Sequence, residues 1–183
     1  MVVVETNLED CLVLKPKVNQ DERGYFYESY NQKVFNNILK DNVNFVQDNQ
    51  TYSTKGVLRG LHFQKGDFAQ AKLVRVTQGN VLDIVVDLRK KSSSFGQSFS
   101  CELSEQNQKQ LFVPKGFAHG FVVLSETAIF QYKCDNYYNK ESEGGIIYND
   151  SDLNIDWILP ANKLIISQKD LELDNFKNQS FAF

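Results

Sequence analysis

The stretch L-V-R-V-T-Q-G-N-V-L-D-I-V-V-D-L, residues 73–88, contains the pattern on which the fold depends. Two short apolar runs, 73–77 and 81–88, stand on either side of Gly79 and Asn80. Short apolar runs bounded by turn residues are typical of β-strands. Glycine and asparagine both tolerate positive φ, so the dipeptide predicts a tight hairpin turn between the two strands.

Similar runs occur on both sides of this stretch, separated by Gly, Asn or Pro. In the run 128–134, Ala128, Phe130 and Tyr132 would share one face of a strand, as a period of two residues requires. Many short strands, without the helices that parallel crossovers need, indicate an antiparallel β-sandwich or jelly roll and not a βαβ architecture. The further predicted strands are 43–47, 57–64, 97–103, 111–113 and 128–134.

Helices are predicted to be few and short. Segment 31–40 has four apolar residues at helical spacing and predicts one helix. The tail 154–183 contains Trp157 and is expected to pack back as a turn and a short helix. A length of 183 residues without an internal repeat or linker predicts a single domain, 1–183.

Composition and charge exclude several classes of partner. A net charge of −3 and a pI near 5.4 give no global reason to bind nucleic acid or an anionic membrane. Cys11, Cys101 and Cys134 match neither a disulfide framework nor a zinc pattern, which suits a reducing compartment. The acidic start and the lack of a long apolar run predict a cytoplasmic protein.

The chain has two histidines, His62 and His119, and each stands beside glycine and apolar residues. Both could be hydrogen-bonded core residues. However, His62 lies in one stretch with Arg59, Gln64 and Lys72, a set that is costly to bury without a polar ligand or partners, so a pocket is favoured. Strict alternation would put Arg59 and His62 on opposite faces, so a shared pocket requires an irregularity at the intervening glycine.

Residues 114–119, P-K-G-F-A-H, match the P-x-G-x-x-H half of the cupin signature and predict a cupin-type jelly roll. Metal-binding cupins also have an H-x-H pair, whereas His62 is followed by Phe63 and Gln64. Two histidines are too few for the usual metal site, so no metal is expected, although a metal-dependent cupin oxygenase stays a rival hypothesis.

Four motifs together resemble the dTDP-4-dehydrorhamnose 3,5-epimerase family. They are D-E-R-G-Y-F-Y-E (21–28), V-L-R-G-L-H-F-Q (57–64), A-Q-A-K-L-V-R-V (69–76) and V-P-K-G-F-A-H-G-F (113–121), and the likeness continues through 132–138 and 167–170. The resemblance implies a homodimer with exchanged N-terminal strands, a nucleotide-sugar substrate (dTDP-4-keto-6-deoxyglucose) and no cofactor. One departure is K-G-D-F (65–68), where the family commonly has proline.

The resemblance also implies roles for individual residues. His62 would be the general base, Asp170 its partner carboxylate, Tyr132 the acid on the opposite face of the sugar, and Lys72 the cation near the ketone oxygen. Arg23 and Glu28 would reach the site of the partner subunit. The full set of implied substrate-binding residues is Arg23, Glu28, Gln47, Asn49, Arg59, His119, Tyr138, Glu143 and Lys169.

These residue types suit proton transfer next to a ketone. Removal of that proton requires a positioned cation for the charge that grows on the oxygen. A histidine, with an ordinary pKa of about 6.5, can accept the proton near neutral pH. A tyrosine can return a proton from the other side.

Each residue also has a structural interpretation. Asp170 could cap a helical turn, Tyr132 and Tyr138 could be ordinary strand aromatics, Arg23 could be a turn charge, and Lys72 could be a solvated lysine on an edge strand. At the level of function, the alternatives are a single-carbon epimerase of a related nucleotide sugar and a non-catalytic cupin that binds sugar nucleotides.

Overall fold

A computed structural model of the chain describes residues 1–39 and 42–181. Strands dominate these residues, as the sequence predicts. The strands are β1 Val2–Glu5, β2 Leu12–Lys15, β3 Asn19–Asp21, β4 Gly24–Phe26, β5 Gln47–Thr54, β6 Val57–Gln64, β7 Lys72–Gln78, β8 Asn80–Asp87, β9 Ser98–Ser104, β10 Gln110–Val113, β11 Phe117–Val123, β12 Thr127–Cys134, β13 Glu143–Gly145 and β14 Ile165–Ile166.

The helices are short. The two α-helices are α1 Gln32–Asn36 and α2 Gln168–Leu171, and single 3₁₀ turns occur at Gly66–Phe68, Lys140–Ser142, Ala161–Lys163 and Phe176–Asn178. None of the helices in the described part of the chain has the length and apolar character to cross a membrane.

Two sheets form the sandwich. The first has the strand order β1-β2-β10-β7-β12-β5. The second has the order β13-β6-β11-β8-β9, with β14 beside β6, and β3 and β4 form a separate two-stranded ribbon. The pairing of β14 with β6 is parallel, and the other described pairings are antiparallel. The predicted antiparallel jelly roll is therefore confirmed.

Alternation along the strands places the core between the sheets. Val74 and Phe130 of the first sheet pack in one cluster with Val85 and Phe121 of the second. The opposite face of the second sheet is also apolar, because the C-terminal segment covers it and buries Trp157 in a second cluster. A fully buried side chain such as Phe130 contributes roughly 1.5–3 kcal/mol through the hydrophobic effect.

The predicted hairpin at Gly79-Asn80 is wrong. Gly79 has φ +75, as a tight turn requires, but β7 and β8 belong to different sheets. The chain changes sheets at this corner, and the Asn80 amide donates to the Ser125 hydroxyl (2.9 Å). Two apolar strands joined by a short turn can pair with each other or face each other across a core, and the local sequence does not distinguish these outcomes.

The predicted strand 43–47 is also wrong. Residues 42–46 are irregular, and Val43 and Phe45 pack instead against Phe35 of α1. The strand in this region is β5, which begins at Gln47. Its sequence, QDNQTYST, has no apolar alternation, so it was not predicted.

Both predicted helical regions contain a helix, shorter in each case than the segment predicted. Helix α1 begins after Asn31, whose side chain accepts a hydrogen bond from the Val34 amide, and it ends at Asn36. The end of the predicted segment, Lys40, lies outside the described residues. The tail forms α2 and packs back onto the second sheet, and its last two residues, 182–183, are likewise outside the described part.

Candidate active site

A cleft of about 520 Å³ opens between the two sheets. The first sheet contributes Lys72 of β7 and Tyr132 of β12, and the second contributes β6 and β11. A larger cavity, of about 680 Å³, lies near Cys11 and Arg89 and includes none of the predicted site residues. The predicted site residues that line the smaller cleft are Arg59, His62, Lys72, His119, Tyr132, Lys169 and Asp170.

An irregularity in β6 brings Arg59 and His62 into this cleft together. The register between β6 and β11 shifts between His119 and Phe121. Gly60 stands at the shift with φ +116, a conformation that L residues rarely adopt. A Cβ at this position would lie 2.7 Å from the Gly120 Cα. The irregularity predicted at this glycine is confirmed.

His62 forms a pair with Asp170 from a segment 108 residues away. The His62 Nε2 lies 2.8 Å from the Asp170 Oδ1, and the Gly60 amide donates to the other carboxylate oxygen (3.3 Å). Burial pushes the pKa of Asp170 up, but hydrogen bonds from His62, Gly60 and Ser167 more than offset it and hold the pKa below its usual range. The interpretation of Asp170 as a helix cap is wrong, because the Ser167 side chain caps α2 and accepts from the Asp170 amide.

Tyr132 and Lys72 lie together on the first sheet. The Lys72 Nζ is 5.9 Å from the centre of the Tyr132 ring. Burial raises the pKa of the Tyr132 phenol, so the group keeps its proton at neutral pH. Burial lowers the pKa of Lys72, and Cys134, Asp83 and Glu143 oppose this change. Because β7 is an inner strand between β10 and β12, Lys72 is not a solvated edge lysine.

Polar side chains at the mouth of the cleft form a linked group. The Tyr138 hydroxyl and the Lys169 ammonium both donate to the Glu143 Oε2, at 2.8 and 2.7 Å. Burial raises the pKa of Glu143, but these two hydrogen bonds hold it below its usual range. The Gln47 side chain accepts from the Tyr138 amide (3.2 Å). Tyr138 is 54% exposed, so its ring is available to a ligand.

Strand β5 presents further polar groups toward the interior. The Gln47 side chain donates to Asn49, and the Arg59 guanidinium donates to the Ser53 hydroxyl. Thr51 lines the cleft, and its buried hydroxyl has no hydrogen-bond partner among the described residues. Sequence reasoning did not identify Thr51 or Ser53. Polar residues at alternate positions were the available signal.

Two of the predicted residues lie elsewhere in this chain. Arg23 forms an exposed ion pair with Asp21 on the ribbon of β3 and β4. Glu28 accepts a hydrogen bond from the Asn31 side chain (3.1 Å). Neither residue lines the cleft of its own subunit.

Asp83 was also missed by sequence reasoning. It is fully buried, and both of its carboxylate oxygens lie within hydrogen-bond distance of the His119 Nε2 (3.1 and 2.9 Å). The signal was an aspartate inside the apolar run 81–88, at a position whose neighbours two residues away face the core. Within residues 1–39 and 42–181, no group of three or more His, Cys, Asp or Glu side chains could hold a metal ion.

A two-sheet sandwich with a histidine–carboxylate pair, a phenol and a lysine in one cleft has the groups of an acid–base enzyme of the cupin type. The family model for dTDP-4-dehydrorhamnose 3,5-epimerase matches residues 5–178. The chain belongs to this family, and it is an isomerase of the epimerase type.

Known relatives are similar to this chain in sequence and in structure along nearly its whole length. The dTDP-4-dehydrorhamnose 3,5-epimerase of Escherichia coli (strain K12) is 54% identical over 173 residues, which cover 94% of this chain and 93% of that protein. The crystal structure of dTDP-4-dehydrorhamnose 3,5-epimerase from Elizabethkingia anophelis NUHP1 has a TM-score of 0.96 and 56% identity, and covers 99% of both chains.

One similar structure contains a bound sugar nucleotide. The 3,5-epimerase from Legionella pneumophila Philadelphia 1, in complex with dTDP-4-keto-L-rhamnose, has a TM-score of 0.94 and 44% identity. The match covers 98% of this chain and 94% of that one.

Proposed function

We propose that this protein inverts carbons 3 and 5 of dTDP-4-keto-6-deoxy-D-glucose, a step of dTDP-L-rhamnose biosynthesis. One observation carries the proposal: His62, paired with Asp170 at 2.8 Å, and Tyr132 enter the same cleft from opposite sheets. Two proton-transferring groups on opposite walls can act on the two faces of one sugar ring.

In the proposed reaction, His62 removes the proton from the carbon next to the ketone. The electron pair of the broken C–H bond forms the double bond of an enolate, and the negative charge develops on the former carbonyl oxygen. Lys72 stabilises this charge as an ammonium ion. Tyr132 then donates its phenolic proton to the opposite face of the carbon, so the configuration is inverted without oxidation or reduction.

Asp170 supports the base in two ways. Its carboxylate fixes one ring nitrogen of His62, so that the other nitrogen is free to take the proton. The carboxylate also stabilises the imidazolium that proton abstraction creates. A depressed pKa keeps Asp170 ionised for this role at neutral pH.

The remaining residues are proposed to bind the substrate. Arg59 and Lys169 present positive charge to the diphosphate, and a guanidinium can form forked hydrogen bonds with it. Tyr138 offers an exposed ring to the base of the nucleotide. The others proposed to contact substrate within the subunit are Gln47, Asn49, His119 and Glu143.

We propose a homodimer that exchanges N-terminal strands, with Arg23 and Glu28 completing the partner's site. Their position away from the cleft of their own subunit supports this arrangement. Strand β1 exposes Val2, Val3 and Val4, which are 62%, 38% and 39% accessible, and such a surface gains free energy from being covered.

We also propose that the chain is a single domain and that its reaction needs no cofactor. The proposed location is the cytoplasm, because the three free thiols suit a reducing compartment.

The reaction is tested by incubating the protein with dTDP-4-keto-6-deoxyglucose in deuterated water. We expect deuterium at both carbon 3 and carbon 5, and we expect the variant His62→Ala to lose this incorporation by about 10²-fold or more. NMR of the sugar measures the label, and the configuration of the product identifies the reaction. Exchange at one carbon alone would decide for a single-carbon epimerase, and binding without exchange would decide for a non-catalytic cupin.

A further inference from the structure

Asp83 is a buried charged residue that the proposed reaction does not use. It lies on β8, an inner strand of the second sheet, with an exposed fraction of 0%. Its neighbours at alternate positions, Val81 and Val85, belong to the apolar cluster between the sheets. An ionised carboxylate in such surroundings costs several kcal/mol unless charged or hydrogen-bonding partners compensate it.

His119 is the direct partner. The His119 Nε2 lies between the two carboxylate oxygens, at 2.9 and 3.1 Å, and the imidazole side chain is 8% exposed. The ring stacks on Phe130, with centroids 5.9 Å apart. Hydrogen bond and stacking together fix His119 on the wall of the cleft, where it stands with Lys72.

The other titratable groups around Asp83 come from three elements. Cys101 of β9 is its direct cross-strand partner, Cys11 precedes β2, and Lys72 belongs to β7. Burial raises the pKa of the Cys11 thiol to about 12 and that of Cys101 further still, so both are uncharged at neutral pH. Burial raises the pKa of Asp83, and the His119 hydrogen bond and the charge of Lys72 oppose this rise and favour the ionised carboxylate.

Lys72 has a corresponding set of neighbours. Cys134 of β12 is a buried thiol whose pKa is raised to about 11, so it too is neutral near pH 7. Tyr132 of β12 stands beside the ammonium as an uncharged phenol. Glu143 of β13 and Asp83 are the carboxylates that favour the charged form of Lys72.

We propose that Asp83 is a positioning residue for the epimerisation: it orients His119 on the wall of the cleft and, as a carboxylate, acts on Lys72 of the other sheet. This inference rests on the proposed function of Lys72 as the cation that stabilises the enolate. Asp83 is fully buried and does not line the cleft, so it would act on the reaction through these two residues.

The ionised form of Asp83 that we propose has a consequence for pH dependence. Burial lowers the pKa of Lys72, and the Asp83 carboxylate opposes this shift. Without that carboxylate the pKa of Lys72 falls further. Lys72 then loses its proton at a lower pH, and the enzyme loses its activity at that lower pH. A neighbouring charge typically changes a pKa by about one unit or more.

The test compares Asp83→Asn with the natural protein and with Asp87→Asn. Asp87 is a matched control, because it is also fully buried on β8 but pairs with Arg89, Ser92 and Ser94 and does not line the cleft. We expect Asp83→Asn to lower kcat about tenfold at neutral pH and to move the alkaline limb of kcat down by about one pH unit. Asp87→Asn should reduce thermal stability and leave the limb in place. An unchanged limb in Asp83→Asn, or an equal shift in both variants, would overturn the proposal.

A second measurement uses the natural protein and does not depend on the folding of a variant. The chain contains two histidines, so NMR of the ring nitrogens gives two sets of signals, and His62→Ala assigns them. An ionised Asp83 requires that the His119 Nε2 carries a proton at neutral pH. A bare Nε2, which would accept a proton from a neutral Asp83, would overturn the proposal. If the natural protein incorporates no deuterium into the substrate, the proposed function itself fails, and this outcome is distinct from either result for Asp83.

Discussion

Burial changes the proton affinity of Tyr132 and Lys72 in opposite directions. The phenol holds its proton more tightly, whereas the ammonium holds its proton less tightly. For the proposed reaction the first change is harmless, because an acid must arrive protonated. The second change would be damaging, and the nearby carboxylates Asp83 and Glu143 limit it. The cleft therefore requires negative residues behind its cation.

Asp170→Asn is expected to lower kcat by about 10²-fold or more, because His62 loses the carboxylate that orients its ring and stabilises the imidazolium formed by proton abstraction. The variant should also change the response to acid. Because the pKa of Asp170 is depressed in the folded protein, its contribution to the free energy of unfolding is full above about pH 5. That contribution declines as the pH falls below about 4, the ordinary range of an aspartate.

Urea titrations at about pH 7 and about pH 3 measure this effect. The difference in free energy of unfolding between the natural protein and Asp170→Asn should narrow at the lower pH. The matched control is Asp152→Asn, at an exposed position outside the cleft. A difference that stays constant or widens on acidification would contradict the assigned role of the carboxylate.

Strands β5 and β6 show why some elements could be predicted and others could not. The predicted bounds of β6, 57–64, agree with the structure, because Gly56 directly precedes the strand and its apolar residues continue to Phe63. Strand β5 was missed because its inward positions hold Gln47, Asn49 and Ser53. Gln47 and Asn49 hydrogen-bond to each other and Ser53 accepts from Arg59, so polar contacts beside the cleft replace the usual alternation of apolar and polar residues. Strands beside a functional site are therefore the ones that apolar alternation does not predict.

Gly60→Ala tests the irregularity in β6. A methyl group there would meet the Gly120 Cα and the His119 carbonyl oxygen at 2.7 Å, in a backbone conformation that alanine disfavours. We expect the free energy of unfolding to fall by about 2–4 kcal/mol. We also expect kcat to fall beyond what the remaining folded fraction explains, because Arg59 and His62 would no longer share the cleft.

Gly66→Ala is the matched control for this experiment. Gly66 also has a positive φ, +56, but a Cβ there would meet no atom within 4 Å. Its expected cost is only about 1 kcal/mol, from the backbone conformation alone. Denaturant titrations and kcat of both variants make the comparison. Equal losses for the two glycines would show that the close packing of β6 on β11 is unimportant.

The assembly of two subunits can be tested by mixing inactive variants. Arg23→Ala and His62→Ala should each be inactive alone. If Arg23 serves the partner's site, a mixed dimer has one site with both defects and one intact site. Random exchange of subunits in an equal mixture should then restore about a quarter of the natural activity.

The control mixture combines His62→Ala with Asp170→Asn. Both residues lie in the cleft of one subunit, so every site in a mixed dimer keeps one defect. No activity should return. Recovery in this control, or no recovery with Arg23→Ala, would exclude the proposed sharing of sites between subunits.

Local sequence was sufficient for the class of fold, for most inner strands and, through motif resemblance, for His62, Tyr132 and Asp170 as a set. It could not give the partners of the strands. The pairing of His62 with Asp170 spans 108 residues, and β7 and β8 enter different sheets although a short turn joins them. Residue patterns record the period of an element and the polarity of its faces. Which faces meet is decided by packing of the whole chain, and that packing alone places Asp83 behind His119.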